Sequence, residues 1–302
     1  MTRHLTLLAA AGLLLAGCAS NEPPASQTRR ATLAPTVAAA PTSAPVWPAN
    51  APGIYAQSAI MIDARTGEVL FQKNADTRRV PASTQKLLTA LLITRRGNLD
   101  APVTIMPEDT RVEPTKLGLR AGERYTRRNL LQAIMVKSCN DACAALARDH
   151  SGTEDAFVEN MNRAAWSLGA RSSYFLNSHG LPPEQYSSAR DISRIAFAAY
   201  RDPVLRRMMQ QRMVYFRHNT GRVTRLEATN KLLERSGAFN GMKTGYTYAA
   251  GRCLVSSGRL NGREVILVQL GSRTKHIFDD AERVMAWSGR GYYGGGAAYG
   301  TF

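Results

Sequence analysis

The stretch "RCLVSSGRLNGREVILVQLG", residues 252–271, consists of two β-rich runs joined at Asn261-Gly262, a dipeptide suited to a tight hairpin turn. A second run of this kind lies far upstream. There "SAIMIDARTGEVLFQK", residues 58–73, has apolar β-formers flanking a turn centred on Arg65 to Gly67. Between the two, apolar residues recur at helical spacing over 83–96, 127–135, 140–149, 154–168, 189–200 and 203–211. In the first of these helices Leu87, Leu88, Leu91 and Leu92 form the expected buried side. "MVYFRH" and "VTRLEA" read as a short strand pair, and an amphipathic helix is expected over 277–287. Strands at both ends with helices between them are best satisfied by one antiparallel sheet made from both hairpins. The expected fold class is therefore α/β, of the α+β kind: an antiparallel sheet flanked by helices, with an inserted all-helical lobe and a cleft between lobe and sheet.

The two ends of the chain read differently. "MTRHLTLLAAAGLLLAGCAS" has a basic start at Arg3, an apolar run of about 13 residues and small residues leading to Cys18, the layout of a secretory signal. The run is too short for a mature membrane span, which needs about 20 residues. Its end, "LAGC", resembles the lipobox of bacterial lipoproteins, in which cleavage leaves Cys18 as a lipid-bearing N-terminus; a plain signal cleaved near Ala19 is the alternative. Either reading exports the mature chain, and Ala19 after Cys18 points, by lipoprotein analogy, to the outer membrane. Residues 19–53 hold seven of the 14 prolines and no apolar periodicity, so they read as a flexible tether spanning about 30 Å as a coil. The expected organisation is a signal at 1–17, a tether at 18–53, a catalytic domain at 54–288 and a Gly/Tyr-rich tail at 289–302.

The formal charge of +16, or +15 without Arg3, suits an anionic partner. Scattered basic residues, no recognition helix and an export signal argue against nucleic acid. Apart from Cys18 there are three cysteines, Cys139, Cys143 and Cys253, an odd number that argues against a disulfide framework and for small buried side chains. The five histidines show no metal-ligand spacing, so no metal is implied.

Within "VPASTQKLLTALL", residues 80–92, Ser83 and Lys86 lie three apart, close enough to meet on one helical face. The same letters also describe an ordinary helix start, with Pro81 in the first turn and Ser83 or Thr84 as cap. S-x-x-K is weak alone and recurs at Ser272 to Lys275. What strengthens the first copy is its sequel: Ser138 and Asn140 in "VKSCNDACAALA", then Lys243, Thr244 and Gly245 in "GMKTGYT". S-x-x-K, S-x-N and K-T-G in this order are the marks of penicillin-binding proteins and class A β-lactamases. From about Ser58 to Trp287 the chain resembles the D-alanyl-D-alanine carboxypeptidases, the low-molecular-mass penicillin-binding proteins, and further stretches that carry the likeness are "FLNSHGLP", "SARDIS" and "NKLL". The resemblance implies a penicillin-binding protein/β-lactamase-like transpeptidase fold.

Cleaving a peptide bond through an acyl-enzyme needs a nucleophile and a base to activate it. Lys86 can act as base only when neutral, yet at a reference pKa near 10.4 only about 4 in 10,000 amines are neutral at pH 7. Its pKa must fall by about 3, roughly 4 kcal/mol of destabilised charge, which burial and a neighbouring cation can supply. The resemblance implies that Ser83 is the nucleophile, Lys86 its base, Lys243 the neighbouring cation, and Ser138 a proton relay to the leaving D-alanine. It further implies that Asn140 holds the substrate and orients Lys86, that Lys243 and Thr244 bind the substrate carboxylate, and that Gly245 permits close approach. The oxyanion would lie between the N–H groups of Ser83 and Tyr246. Peptidoglycan stem peptides are the implied substrates and β-lactams the implied acylating inhibitors, with no cofactor.

Several departures accompany the likeness. Cys139 replaces a glycine common in the family and is expected to alter rate or substrate reach. An arginine that the family supplies after the last strand is matched by Arg273 or Lys275, with both left open. Many relatives carry a second β-rich domain and a terminal amphipathic helix; here a lipid on Cys18 plus the tether is expected to replace that anchor. A D,D-endopeptidase shares the same residues and is the main alternative, with a non-catalytic wall-binding lipoprotein as another. A class A β-lactamase would need an E-x-x-L-N stretch, and "VENMN" at 158–162 is only an echo of it.

Overall fold

The computed structural model describes residues 49–181, 184–260, 262–273 and 275–288. The expected signal, Cys18, the tether up to residue 48, the turn residue Asn261 and the tail from 289 lie outside the described residues. The strands are β1 (Ser58–Asp63), β2 (Val69–Lys73), β3 (Pro102–Thr104), β4 (Arg124–Thr126), β5 (Met213–Arg217), β6 (Val223–Glu227), β7 (Phe239–Thr247), β8 (Gly251–Leu260) and β9 (Arg263–Ser272). The helices are α1 (Lys86–Arg96), α2 (Arg127–Lys137), α3 (Asn140–Ser151), α4 (Glu154–Ser167), α5 (Ala189–Arg201), α6 (Pro203–Met209), α7 (Leu232–Arg235) and α8 (Ile277–Ser288).

The early and late hairpins join, as expected, in one antiparallel sheet of order β2-β1-β9-β8-β7. Registers align Ile60 with Val268, Val268 with Val255, and Val255 with Lys243, so Lys243 ends a row whose three central side chains are apolar and whose other end, on β2, is Gln72. Ile60, Val255 and Val268 belong to the main core shared with the helices, while Met61, Leu254 and Leu267 pack with Ile277, Ala281 and Val284 of α8 on the other face. With both faces covered, β1 is buried at every position, which is why its sequence reads as an apolar run rather than an alternation.

Helix α1 runs through the middle of the helical lobe and touches α2 to α6. Enclosed on most sides, it buries more than a stripe: Ile93 is fully buried and Leu92 only half, the reverse of a simple four-leucine face. Its start also differs from expectation. Residues Ala82–Gln85 form a 3₁₀ turn before α1, and neither Ser83 nor Thr84 caps a helix; Thr84 Oγ1 instead donates to Pro81 O at 2.6 Å. The pair β3–β4 and the one-turn α7 escaped the sequence reading because three or four residues carry no usable periodicity. No helix among the described residues is long and apolar enough to cross a membrane.

Candidate active site

The 3₁₀ turn carrying Ser83 is wedged between two glycines. A Cβ on Gly245 of β7 would stand 2.9 Å from Ser83 N and 3.0 Å from Ala82 Cβ, and one on Gly180 would run into Ala82 O. Only residues without a side chain let strand and loop close on the turn this tightly. One helical turn after Ser83, Lys86 is fully buried, and its Nζ lies 2.7 Å from Ser83 Oγ, 2.7 Å from Asn140 Oδ1 and 2.5 Å from His179 O. The last two partners can only accept. Lys86 Nζ donates to Ser83 Oγ, whose hydroxyl in turn donates to His179 O at 3.3 Å; once the amine is neutral, two N–H groups suffice for Asn140 Oδ1 and His179 O, which frees its lone pair for the Ser83 proton.

Ser138 ends α2 in the left-handed region, at φ 70° and ψ 31°, with its N–H on Ile134 O at 3.0 Å. A non-glycine residue there costs about 1 kcal/mol, a strain of the kind that gathers at functional sites. The reversal lets α3 begin two residues later at Asn140, whose N–H donates to Thr115 O at 2.7 Å and whose Nδ2 donates to Glu113 O at 2.8 Å. These bonds fix the amide so that its oxygen faces Lys86. Lys243, also buried, donates from Nζ to Ser138 Oγ at 2.9 Å and to Thr244 O at 3.0 Å, while Thr244 Oγ1 lies 2.6 Å from Thr229 Oγ1 as donor. Ser83, Ser138, Thr244, Gly245 and Tyr246 line one cleft of about 310 Å³.

Burial pushes Lys86 down to about 8 and Lys243 to about 7, the second also through repulsion by Lys86. Cys143 and Cys139 counter the fall at Lys86 only when ionised. Burial raises both thiols to about 12, so near neutral pH they are uncharged and the counter-effect is absent. The His179 ring is pushed down to about 3 by burial and then by Lys86, so it is neutral and contributes its carbonyl rather than a base.

The sequence profile of the D-alanyl-D-alanine carboxypeptidase family, peptidase S11, matches residues 46–274. The chain belongs to this family. It is 34% identical over 227 residues to a D-alanyl-D-alanine carboxypeptidase of Bacillus subtilis, covering 72% of this chain and 58% of that one. It thus spans little more than half the length of that relative. A D-alanyl-D-alanine endopeptidase of Pseudomonas aeruginosa is 31% identical over 235 residues, 76% of each chain. Among solved structures, the Streptomyces K15 DD-transpeptidase superimposes with a TM-score of 0.74 at 30% identity, over 78% of this chain and 98% of that one. This family member therefore has the penicillin-binding protein/DD-transpeptidase fold, with its five-stranded antiparallel sheet and flanking helices.

The residues singled out in the three short patterns, 55 and 160 positions apart from Ser83, do meet in and under one cleft. Cys139, expected to change substrate reach, is fully buried in the core and does not line it. Arg273 and Lys275 line an adjoining cavity instead, where Arg273 Nη1 donates to Tyr248 O at 3.2 Å. The arginine that lines the Ser83 cleft is Arg252, opposite Tyr246 in the β7–β8 register and stacked 5.2 Å over its ring. Arg252 and Thr229 gave no sequence signal, because a strand partner and a loop threonine acquire meaning only through register and packing. His179 acts through a backbone carbonyl, which any residue has, so only the resemblance of "FLNSHGLP" marked that loop.

Proposed function

We propose that this family member is a serine D,D-peptidase that removes the terminal D-alanine from peptidoglycan peptide stems through a Ser83 acyl-enzyme. The observation that carries the reading is the Lys86 amine 2.7 Å from Ser83 Oγ with its other two contacts on obligate acceptors. As Ser83 Oγ attacks the carbonyl carbon of the penultimate D-alanine, its proton passes to Lys86 Nζ. The carbonyl oxygen gains the negative charge and is received by the N–H groups of Ser83 and Tyr246, a placement supported by the close approach of β7 at Gly245 to the Ser83 turn, which leaves no room for a Cβ. Collapse of the intermediate breaks the peptide bond. The leaving amine takes its proton from Ser138 Oγ, which Lys243 Nζ can resupply across 2.9 Å. Lys243 and Thr244 bind the free carboxylate, Asn140 steadies the substrate backbone, and water then hydrolyses the ester, regenerating Ser83. A β-lactam would acylate Ser83 in the same way and remain attached.

The protein and its Ser83→Ala variant, incubated with labelled penicillin, test this directly: label on the parent and none on the variant is the expected outcome. An unlabelled parent sinks the assignment. The Pseudomonas aeruginosa relative, alike over 76% of both chains, supports endopeptidase action as a second reading. Pentapeptide stems and cross-linked muropeptides as substrates separate the two by which of them is cut.

The domain organisation belongs to the same proposal, with a catalytic domain at 54–288 carried on the 18–53 tether from a lipidated Cys18 after removal of 1–17. Support comes from the "LAGC" text and the proline-rich segment. Incorporation of labelled palmitate that vanishes in Cys18→Ala is the expected result; equal labelling of both proteins removes the anchor.

A further inference from the structure

A cavity of about 970 Å³, larger than the Ser83 cleft, lies apart from it. It opens where the β1–β2 turn, the β8–β9 turn and the junction of α5 with α6 come together. Arg259, on its wall, lies six residues along β8 from Cys253, which lines the Ser83 cleft, so about 20 Å of strand separates the two sites.

Five of its lining residues are arginines and two are carboxylates. Both carboxylates are committed. Asp63 pairs with Arg263 at 2.7 Å and accepts the backbone N–H groups of Arg65 and Thr66 at 2.9 Å each, while Glu264 pairs with Arg206 at 2.6 Å. Arg206 is also held over the Tyr200 ring at 4.5 Å, so two of the five guanidinium groups are fixed in place. Arg65, Arg201 and Arg259 have no carboxylate partner among the described residues, and Arg201 only stacks on Phe197. Three uncompensated positive charges thus border a concave surface, held apart by acids that are already spent on their neighbours.

Like charges gathered in a cavity repel, and the arrangement gains free energy when an anion enters. Guanidinium forks bind phosphate oxygens in pairs and are less strongly hydrated than ammonium groups, and no lysine lines this cavity. Its volume is in the range of small-molecule sites and exceeds what a bare phosphate fills. We propose that this arginine-lined cavity binds a phosphate-bearing group, with Arg65 and Arg259 as its principal ligands and an organic moiety occupying the remaining space. Such chemistry is offered by an anionic lipid headgroup and by a soluble phosphorylated compound.

The test uses the full chain and an Arg65→Ala/Arg259→Ala variant at low ionic strength. Inorganic pyrophosphate, titrated calorimetrically, should bind the parent saturably and the double variant at least tenfold more weakly, with Arg65→Lys/Arg259→Lys in between. Sedimentation with phosphatidylglycerol vesicles, against phosphatidylcholine vesicles, separates the sources: binding that needs both arginines assigns the headgroup, whereas pyrophosphate binding alone assigns a soluble compound. Acylation by penicillin stays unchanged in every variant, which keeps this result independent of the Ser83 cleft. If neither probe loses affinity in the double variant, or if citrate binds as tightly as pyrophosphate, the proposal is overturned.

Discussion

Lys86 and Lys243 beneath the Ser83 cleft, and Arg65 and Arg259 on the wall of the second cavity, carry the same formal charge in opposite surroundings. The two lysines are buried and lowered to about 8 and about 7, whereas the two arginines are exposed and bear no ion pair among the described residues. Burial removes the water that stabilises an ammonium ion and so converts a cation into a base that can surrender or accept a proton near neutral pH. Exposure leaves a guanidinium as a fixed charge that can attract but not react. One protein therefore holds basic side chains in two electrostatic states, and the surrounding fold selects between them.

The sharpest way to break this contrast is to remove the base. Lys86→Met should lower the rate of penicillin acylation by about 10³-fold, the scale of general-base catalysis. Stopped-flow acylation measures it, and a loss under tenfold would assign the proton to another group. Next in size is Gly245→Val, whose added atoms meet the Ser83 turn at 2.9 Å from Ser83 N. Displacement of the nucleophile should cost about 10²-fold in the same assay, while an unchanged rate would show that the turn yields.

A third prediction concerns pH. On the proposed mechanism acylation needs neutral Lys86 and protonated Lys243, so its rate should rise with pH toward about 7 to 8, where the two requirements balance, and fall above. Stability should rise with pH for a related reason. Both lysines bind protons less well folded than unfolded, where the ordinary value is 10.5, so their contribution to stability rises from about pH 7 to about pH 10. Below pH 7 the cost of the buried charges is fully present. Thermal unfolding across this range should show the rise in the parent and a shallower one in Lys86→Met; equal slopes would disconnect Lys86 from it. The smallest effect belongs to the surface: Arg65→Ala and Arg259→Ala should change stability by less than about 0.5 kcal/mol, measured by denaturant unfolding.

Much of the site is legible in the sequence, because S-x-x-K on a helix start is a local arrangement whose geometry the helix dictates. Ser83 and Lys86 meet through a backbone that the two intervening residues nearly determine, even though the turn is 3₁₀ rather than α at Ser83. Ser138 and Asn140 were visible as letters, yet nothing local says that Ser138 adopts a left-handed φ or that Asn140 points its oxygen at Lys86. Arg252 shows the opposite case. It sits in a strand whose sequence is unremarkable, and enters the cleft only because β8 registers it against Tyr246.

The order of elements, the joining of distant hairpins into one sheet, and the meeting of Ser83 with Lys86 followed from the sequence, since each depends on periodicity or on neighbours a few residues apart. The protonation of the two lysines did not, because it depends on how completely residues from α1, α3, β7 and the loop at His179 exclude water. The fate of Arg65 and Arg259 was equally open, since two carboxylates that could have neutralised them are spent on Arg263, Arg206 and backbone N–H groups. Charge is written in the chain, but its energy is set by the solvent and the partners that only the packed tertiary structure assigns.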